Sequence, residues 1–232
     1  MKSALVASLA GGVGRTSITH CLATAMAEYG KRVLAIDADP SAMLTFLCGV
    51  ENPRYSTREL FDGSQKLENI AIKTAERFSL VPSASRLLHR EFKGLDSLRV
   101  ELNEFDYVLI DSPGGPNSLI GPLLELVDEV LVPVDGGIHS IRGALNLLDF
   151  HRKSAKKPVV RALENRATNW QPDLRANFSA DFKLLEVSIC DGAEMQLAQI
   201  STRSVLTEFP QSQVASDFRE LGYLLLEEVG LL

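Results

Sequence analysis

Apolar residues fall along this chain in short β-rich runs separated by segments of helical spacing. That alternation builds βαβ units and a parallel sheet covered on both faces. Six runs predict strands: Ala4 to Ala10, Arg32 to Ala38, Phe78 to Ser83, Asp106 to Ser112, Glu129 to Asp135 and Pro158 to Asn165. Several end in Asp, Ser or Asn, so polar groups should gather beyond the carboxyl ends of the strands, where such sheets bind ligands. Between the first two runs, TSITHCLATAMAEYGKR keeps a helical spacing up to Gly30, a C-terminal cap. ASRLLHREFKGLDSLRVEL and LIGPLLELVD predict crossover helices, and SIRGALNLLDFHRKSAKK opens another. Asn165 to Asp181 is polar, carries Pro172, and predicts a surface loop with a short helix. The closing QVASDFRELGYLLLEEVGLL predicts an acidic amphipathic helix packed on the sheet.

A chain of 232 residues suits one compact α/β domain, residues 1–232, of the doubly wound, mainly parallel kind. Hydrophobic residues at 45% and charged residues at 23% fit a folded globular protein. A net charge of -6 excludes a surface that grips nucleic acid everywhere, though not a local basic patch. Cys21, Cys48 and Cys190 are scattered, without the spacing of a zinc or redox pair, and read as reduced thiols. The apolar start runs straight into a glycine loop, so it reads as a first buried strand and not a secretory signal. No apolar run approaches the about 18 to 20 residues of a membrane-spanning helix.

The stretch LAGGVGRTSITH, Leu9 to His20, has the form of a phosphate-binding loop between a strand and a helix. Gly11, Gly12 and Gly14 permit close backbone approach, Thr16 stands where a hydroxyl holds magnesium, and Ser17 can reach another phosphate. The pattern GxxxxGK[ST] fails twice, with Leu9 at its first glycine and Arg15 at its lysine. Two further motifs follow in the right order. The second strand ends in Asp37, Ala38, Asp39 and Pro40, and the fourth in Asp111 before Ser112, Pro113, Gly114 and Gly115. Carboxylates at strand ends can order water around magnesium or position an attacking water. Each aspartate alone could serve as a helix cap; the set together favours a nucleotide site.

GGVGRTS, IDADPSA, DYVLIDSPGG and VDEVLVPVD with SIRGALNLL resemble the ParA/MinD family of deviant Walker A ATPases. The resemblance extends to ENR at 164–166 and to the closing SVLTEFPQSQVASDFRELGYLL. It implies ATP and magnesium as cofactors, with Gly11, Gly12, Val13, Gly14, Arg15, Thr16 and Ser17 lining the phosphates and Thr16 on the metal. By the same resemblance Asp39 would position the attacking water, with Arg15 the second catalytic candidate. Asp37 and Asp111 would support magnesium through water, and Asn165 would contact adenine. The family implies a nucleotide-sandwich homodimer, a stimulating or cargo partner protein, and a cytoplasmic bacterial setting with recruitment to the nucleoid or inner-membrane machinery.

Three departures bear on chemistry. The signature lysine that reaches across the dimer falls at Ala10, the loop lysine at Arg15, and the residue after Asp-Pro is Ser41. Arginine keeps the charge on a planar, longer donor that is not equivalent to lysine. Losing charge that develops its value in the transition state slows hydrolysis more than it weakens binding. The expectation is an ATP-binding dimer switch with slow or partner-stimulated hydrolysis that positions a plasmid, a chromosome region or a protein complex. A MinD-like protein of the bacterial cellulose synthase operon and a catalytically silent scaffold are the alternatives.

Arg152, Lys153, Lys156 and Lys157, with Arg161 and Arg166, are candidates for DNA phosphates or simply a solvated helix end. Arg86, Arg90 and Lys93 share one helical face and read as surface or partner contact. His20, His89, His139 and His151 pair with no Cys or Ser at ligand or triad spacing, which excludes a metal or acyl-transfer site on sequence grounds. Trp170 reads as a loop staple or an interface anchor.

Overall fold

The computed structural model describes residues 1–84, 95–166, 175, 176, 178, 180 and 182–232. Its strands are β1 (Lys2–Val6), β2 (Val33–Asp37), β3 (Ile72–Lys73), β4 (Ser79–Val81), β5 (Tyr107–Asp111), β6 (Glu129–Val134), β7 (Val159–Glu164) and β8 (Lys183–Leu184). They form one sheet in the order β3-β4-β2-β5-β1-β6-β7-β8, parallel except for the β3–β4 pair. The helices are α1 (Arg15–Glu28), α2 (Met43–Leu47), α3 (Thr57–Phe61), α4 (Leu67–Ile70), α5 (Leu95–Leu102), α6 (Ile120–Leu126), α7 (Ile138–Lys153), α8 (Ala193–Ile200), α9 (Val205–Glu208) and α10 (Gln213–Glu228).

The central strands are buried at every position but Lys2, and apolar along their middles, because both faces are covered. Along β1, Ala4 and Val6 enter one core and Leu5 the other; along β5, Leu109 joins the first and Val108 and Ile110 the second. The first core lies under α1, α9 and α10, the second under α3, α4, α6 and α7. In α1 every residue from Ile18 to Ala27 is buried. Such a helix is buried all round because it lies between two layers, with Thr19, His20 and Thr24 satisfied by hydrogen bonds or an ion pair. Gly222 permits the approach of α10 from the far side: a Cβ there would stand 3.2 Å from that of Ala25. The closing helix packs chiefly on α1 and also meets the sheet directly at β7, where Glu228 pairs with Arg161.

Six predicted strands are present within a few residues. The first stops at Val6 and not Ala10, because the backbone beyond turns into the glycine loop. Two-residue strands β3 and β8 were not foreseen, being too short to show any alternation. The helix predicted from residue 84 is present as α5 in its second half; Arg86, His89, Arg90 and Lys93 lie outside the described residues, as do Trp170 and Pro172. Among the described residues no helix is long and apolar enough to cross a membrane.

Near the amino ends of the strands, Glu129 accepts hydrogen bonds from the Tyr107 hydroxyl and the Arg161 guanidinium, and Arg161 also pairs with Glu228 of α10. Burial and the Glu129 charge push the Tyr107 phenol well above its ordinary value. Arg161, 5% exposed, is therefore an internal brace and not part of a DNA-facing patch, which corrects the sequence expectation. Arg161→Leu strands Glu129 in the core without its counter-charge. We expect a loss of about 3–5 kcal/mol, read as a drop in melting temperature of roughly 6–20 °C; a loss under about 1 kcal/mol would show that Glu129 is not held by this pair.

Candidate functional site

The order of the strands sets the site. The chain leaves β1 for β2, returns to β5 between them, and crosses to β6 on the other side of β1, so the loops after β1, β2 and β5 open on one crevice. The loop after β1 is held in shape by its glycines. Gly12 and Gly14 have φ of 74° and 95°, and a Cβ on Gly14 would lie 2.5 Å from Asn165 Nδ2. Only glycine meets both demands at position 14. The first backbone hydrogen bond of α1 runs from Ile18 N to Gly14 O at 2.9 Å. The N–H groups of the preceding turn are thus left facing the crevice, with the positive end of the helix behind them.

Below the loop two carboxylates share a register: Asp37 at the end of β2 is opposite Asp111 at the end of β5. Asp37 Oδ2 accepts from Thr45 N at 2.8 Å and from Thr45 Oγ1 at 2.7 Å, and its Oδ1 accepts from Asp39 N at 3.1 Å. Asp111 Oδ2 accepts from Thr16 Oγ1 at 2.7 Å, while its Oδ1 is buried with no hydrogen-bond partner. Burial pushes the Asp37 carboxyl up to about 6, against the Thr45 bonds that lower it. Burial, and next the charge of Asp37, hold Asp111 well above the ordinary carboxylate range. The Arg15 charge acts the other way on Asp111, but among the described residues neither carboxylate has an ion-pair partner. Among the described residues no three His, Cys, Asp or Glu side chains cluster closely enough to hold a metal directly. The donor set instead fits magnesium held by the Thr16 hydroxyl, phosphate oxygens and water.

Arg15 bends back across the loop. Its Nη1 donates to Ser8 O at 2.6 Å and Ala10 O at 2.9 Å, and its Nη2 lies 3.9 Å from Asp39 Oδ2. Gly114 makes room for it: a Cβ there would stand 2.9 Å from Nη2. Ala10 is 1% exposed, and a Cβ on Gly143 of α7 would come within 2.6 Å of the Ala10 Cβ. On the other side Asn165 Nδ2 donates to Val13 O at 2.8 Å and Arg166 to Gly12 O at 2.6 Å. Arg166 therefore belongs to this loop and not to the basic run after α7.

The crevice encloses a cavity of about 470 Å³ lined by Gly12 to Ile18, Asp39, Ser41, Asn165 and Arg166, and closed on the far side by Asp191, Gly192, Met195 and Gln199. Asp37 and Asp111 lie beneath it and Gly11 is exposed beside it. The α8 wall, above all Gln199, was not legible in the sequence; its short run AEMQLAQI carries no motif. The basic run ends α7 and so sits at the amino ends of the strands, across the sheet from the cavity. Arg152 pairs with Asp149 at 3.0 Å, Lys156 with Asp128 at 2.9 Å, and Lys157 Nζ donates to His151 O at 3.0 Å. His20 is a core residue, its Nε2 2.6 Å from Glu76, whose carboxyl is lowered to about 2 by the His20 contacts and the Ser204 N–H despite burial.

Comparison with known proteins follows this geometry. The family described as an AAA domain matches residues 1–164. An uncharacterized ATP-binding protein of Methanocaldococcus jannaschii is 32% identical over 166 residues, 69% of this chain and 63% of that protein. The maintenance of carboxysome distribution protein A of Synechococcus elongatus is 29% identical over 162 residues, 65% of this chain and 64% of that protein. The matches thus span a little under two thirds of these relatives. The septum site-determining protein MinD of Pyrococcus horikoshii, solved with Mg-ADP, superposes with a TM-score of 0.85 over 99% of this chain and 98% of that chain at 21% identity.

The buried carboxylates give a stability test. The unfolded chain releases the Asp111 proton near pH 4, whereas the folded chain keeps it to higher pH, so Asp111 costs stability increasingly as pH rises between those values. We expect Asp111→Asn to raise the melting temperature of the ligand-free protein at pH 8 by about 2–4 °C, and by less at pH 4.5. Equal shifts at both pH values would remove the electrostatic account.

Proposed function

The chain belongs to the ParA/MinD family of P-loop ATPases, and from that premise we propose that residues 1–232 form one nucleotide-binding domain that binds ATP with magnesium and works as a dimer switch. The observation that carries the reading is the Thr16–Asp111 hydrogen bond beside Asp37, with one Asp111 oxygen buried and unpartnered beneath the glycine loop. Gly11, Gly12, Val13, Gly14, Arg15, Thr16 and Ser17 cradle the phosphates. Thr16 holds the metal directly, Asp37 and Asp111 through water, and Asn165 faces the base. When bound, magnesium supplies charge neutralisation at the phosphates. Asp39 positions the attacking water, its segment fixed by the Asp39 N to Asp37 bond and by Ser41 N donating to Asp39 Oδ1 at 2.8 Å.

Hydrolysis is slow. Arg15 is engaged by two loop carbonyls and must surrender them to reach a phosphate, and Ala10, wedged against Gly143, carries no charge to offer a second subunit. In role the chain positions a cargo, a reading supported by the relatives named for carboxysome distribution and septum siting. DNA or a protein complex is that cargo; of Arg152, Lys153, Lys156 and Lys157, all but Lys153 are engaged within the chain, which favours the protein complex. The same Arg15 departure favours, as a second reading, the MinD-like protein of the cellulose synthase operon. ATP-dependent DNA retention and binding to a membrane-synthase subunit separate these roles.

The test is solution mass by light scattering with Mg-ATP, with Mg-ADP and without nucleotide. We expect a doubled mass with ATP alone and turnover well below the about 1 per second at the low end of common enzymes. Arg15→Ala should abolish the ATP dimer, and Asp39→Ala should keep it while stopping hydrolysis. A mass unchanged in all three conditions would overturn the switch and leave a constitutive assembly or a silent scaffold.

A further inference from the structure

Gln199 reaches from α8 into the phosphate side of the cavity, where its Nε2 donates to Ser17 Oγ at 2.7 Å. Ser17 lies in the first turn of α1, among the backbone N–H groups left free by the helix start. A serine hydroxyl has one hydrogen to give and two lone pairs to fill. With a lone pair taken by Gln199, the hydrogen is the part left over.

Other hydroxyls of the same helix show what becomes of that hydrogen when nothing intervenes. Thr19 Oγ1 gives it to Arg15 O, and Thr24 Oγ1 gives it to His20 O, both at 3.0 Å and both four residues back. For Ser17 the corresponding carbonyl is Val13 O, which accepts Asn165 Nδ2 at 2.8 Å and takes no bond from the Ser17 hydroxyl. Among the described residues no other hydrogen bond to the Ser17 hydroxyl is present. Its hydrogen is therefore released from the local trap that holds those of Thr19 and Thr24, and is available to an anionic oxygen in the cavity.

We propose that Gln199 is a positioning residue for phosphate recognition: by donating to Ser17 it turns the Ser17 hydroxyl into a donor toward a phosphate of a nucleoside di- or triphosphate. The inference rests on the nucleotide reading above and adds to it a residue outside the glycine loop. It also ties α8 to the loop, so phosphate occupancy and the placement of α8 are coupled through one hydrogen bond.

A double-mutant cycle on Mg-ADP affinity tests it, using the full chain with Gln199→Ala, Ser17→Ala and both together, and thermal melts to verify folding. Gln199→Ala should weaken Mg-ADP by about fivefold, the effect of one neutral hydrogen bond, and should cost less than about twofold once Ser17 is already alanine. Gln199→Glu should weaken binding more than Gln199→Ala, because an ionised carboxylate only accepts and draws the Ser17 hydrogen away from the phosphate. Equal losses in both backgrounds, or a Glu variant that binds as well as the Ala variant, would overturn the positioning role while leaving the nucleotide reading intact. A wild-type chain that binds no Mg-ADP would overturn the nucleotide reading itself, and this inference with it.

Discussion

Two carboxylates opposite one another at the ends of adjacent strands, buried and, among the described residues, without an ion-pair partner, are the constraint around which the crevice is arranged. Asp37 and Asp111 are in register. Burial raises the proton affinity of both, and the charge of a neighbouring aspartate adds to it: Asp37 at Asp111, and Asp39 at Asp37. The chain offers Asp37 three hydrogen bonds but Asp111 one, and none of these is a counter-charge. An arrangement that costs stability without a ligand and gains it with a dication is the usual signature of a binding site rather than of a core. Asp37 does more than wait for charge: through Asp39 N and Thr45 it fixes the turn between β2 and α2, so the residue proposed to handle water is held by one of the residues proposed to handle metal.

The departures at positions 10 and 15 make sense as one change. Arg15 extends far enough to bond Ser8 O and Ala10 O while keeping its second nitrogen near Asp39, and Gly114 leaves the space for it. A long cationic side chain on residue 10 would compete for the same volume and would have to displace α7, whose Gly143 abuts Ala10. Positive charge near the phosphates is thus concentrated on one planar group within the subunit. Such a group neutralises a bound phosphate well, yet it adds little that is specific to the transition state unless it moves.

The parts legible in sequence are those where chemistry and local geometry coincide. Gly12 and Gly14 announce a left-handed backbone that favours glycine, and Asp37, Asp39 and Asp111 stand out as polar ends of apolar strands, so the loop and its carboxylates follow from residue type and order. Arg161 misled because a cation near other cations reads as surface, whereas its strand position places it between Glu129 and Glu228. β3 and β8 are two residues each and leave no periodicity to read. Gln199 was illegible for a different reason: its partner lies 182 positions away, and only the packing of α8 against the loop brings them together.

That division coincides with a boundary in the chain. The family match ends at residue 164, and the second wall of the cavity begins at Asn165, continuing through Arg166, Asp191, Gly192, Met195 and Gln199. The phosphate side is therefore built by the part of the chain that the family match spans, and the opposite wall by the part that follows it. Both Asn165 and Gln199 act on the loop through hydrogen bonds, to Val13 O and to Ser17 Oγ. With the bond from Arg166 to Gly12 O, they join the carboxyl-terminal third to the glycine loop without touching the buried carboxylates beneath, and so give the shortest route for tuning this site.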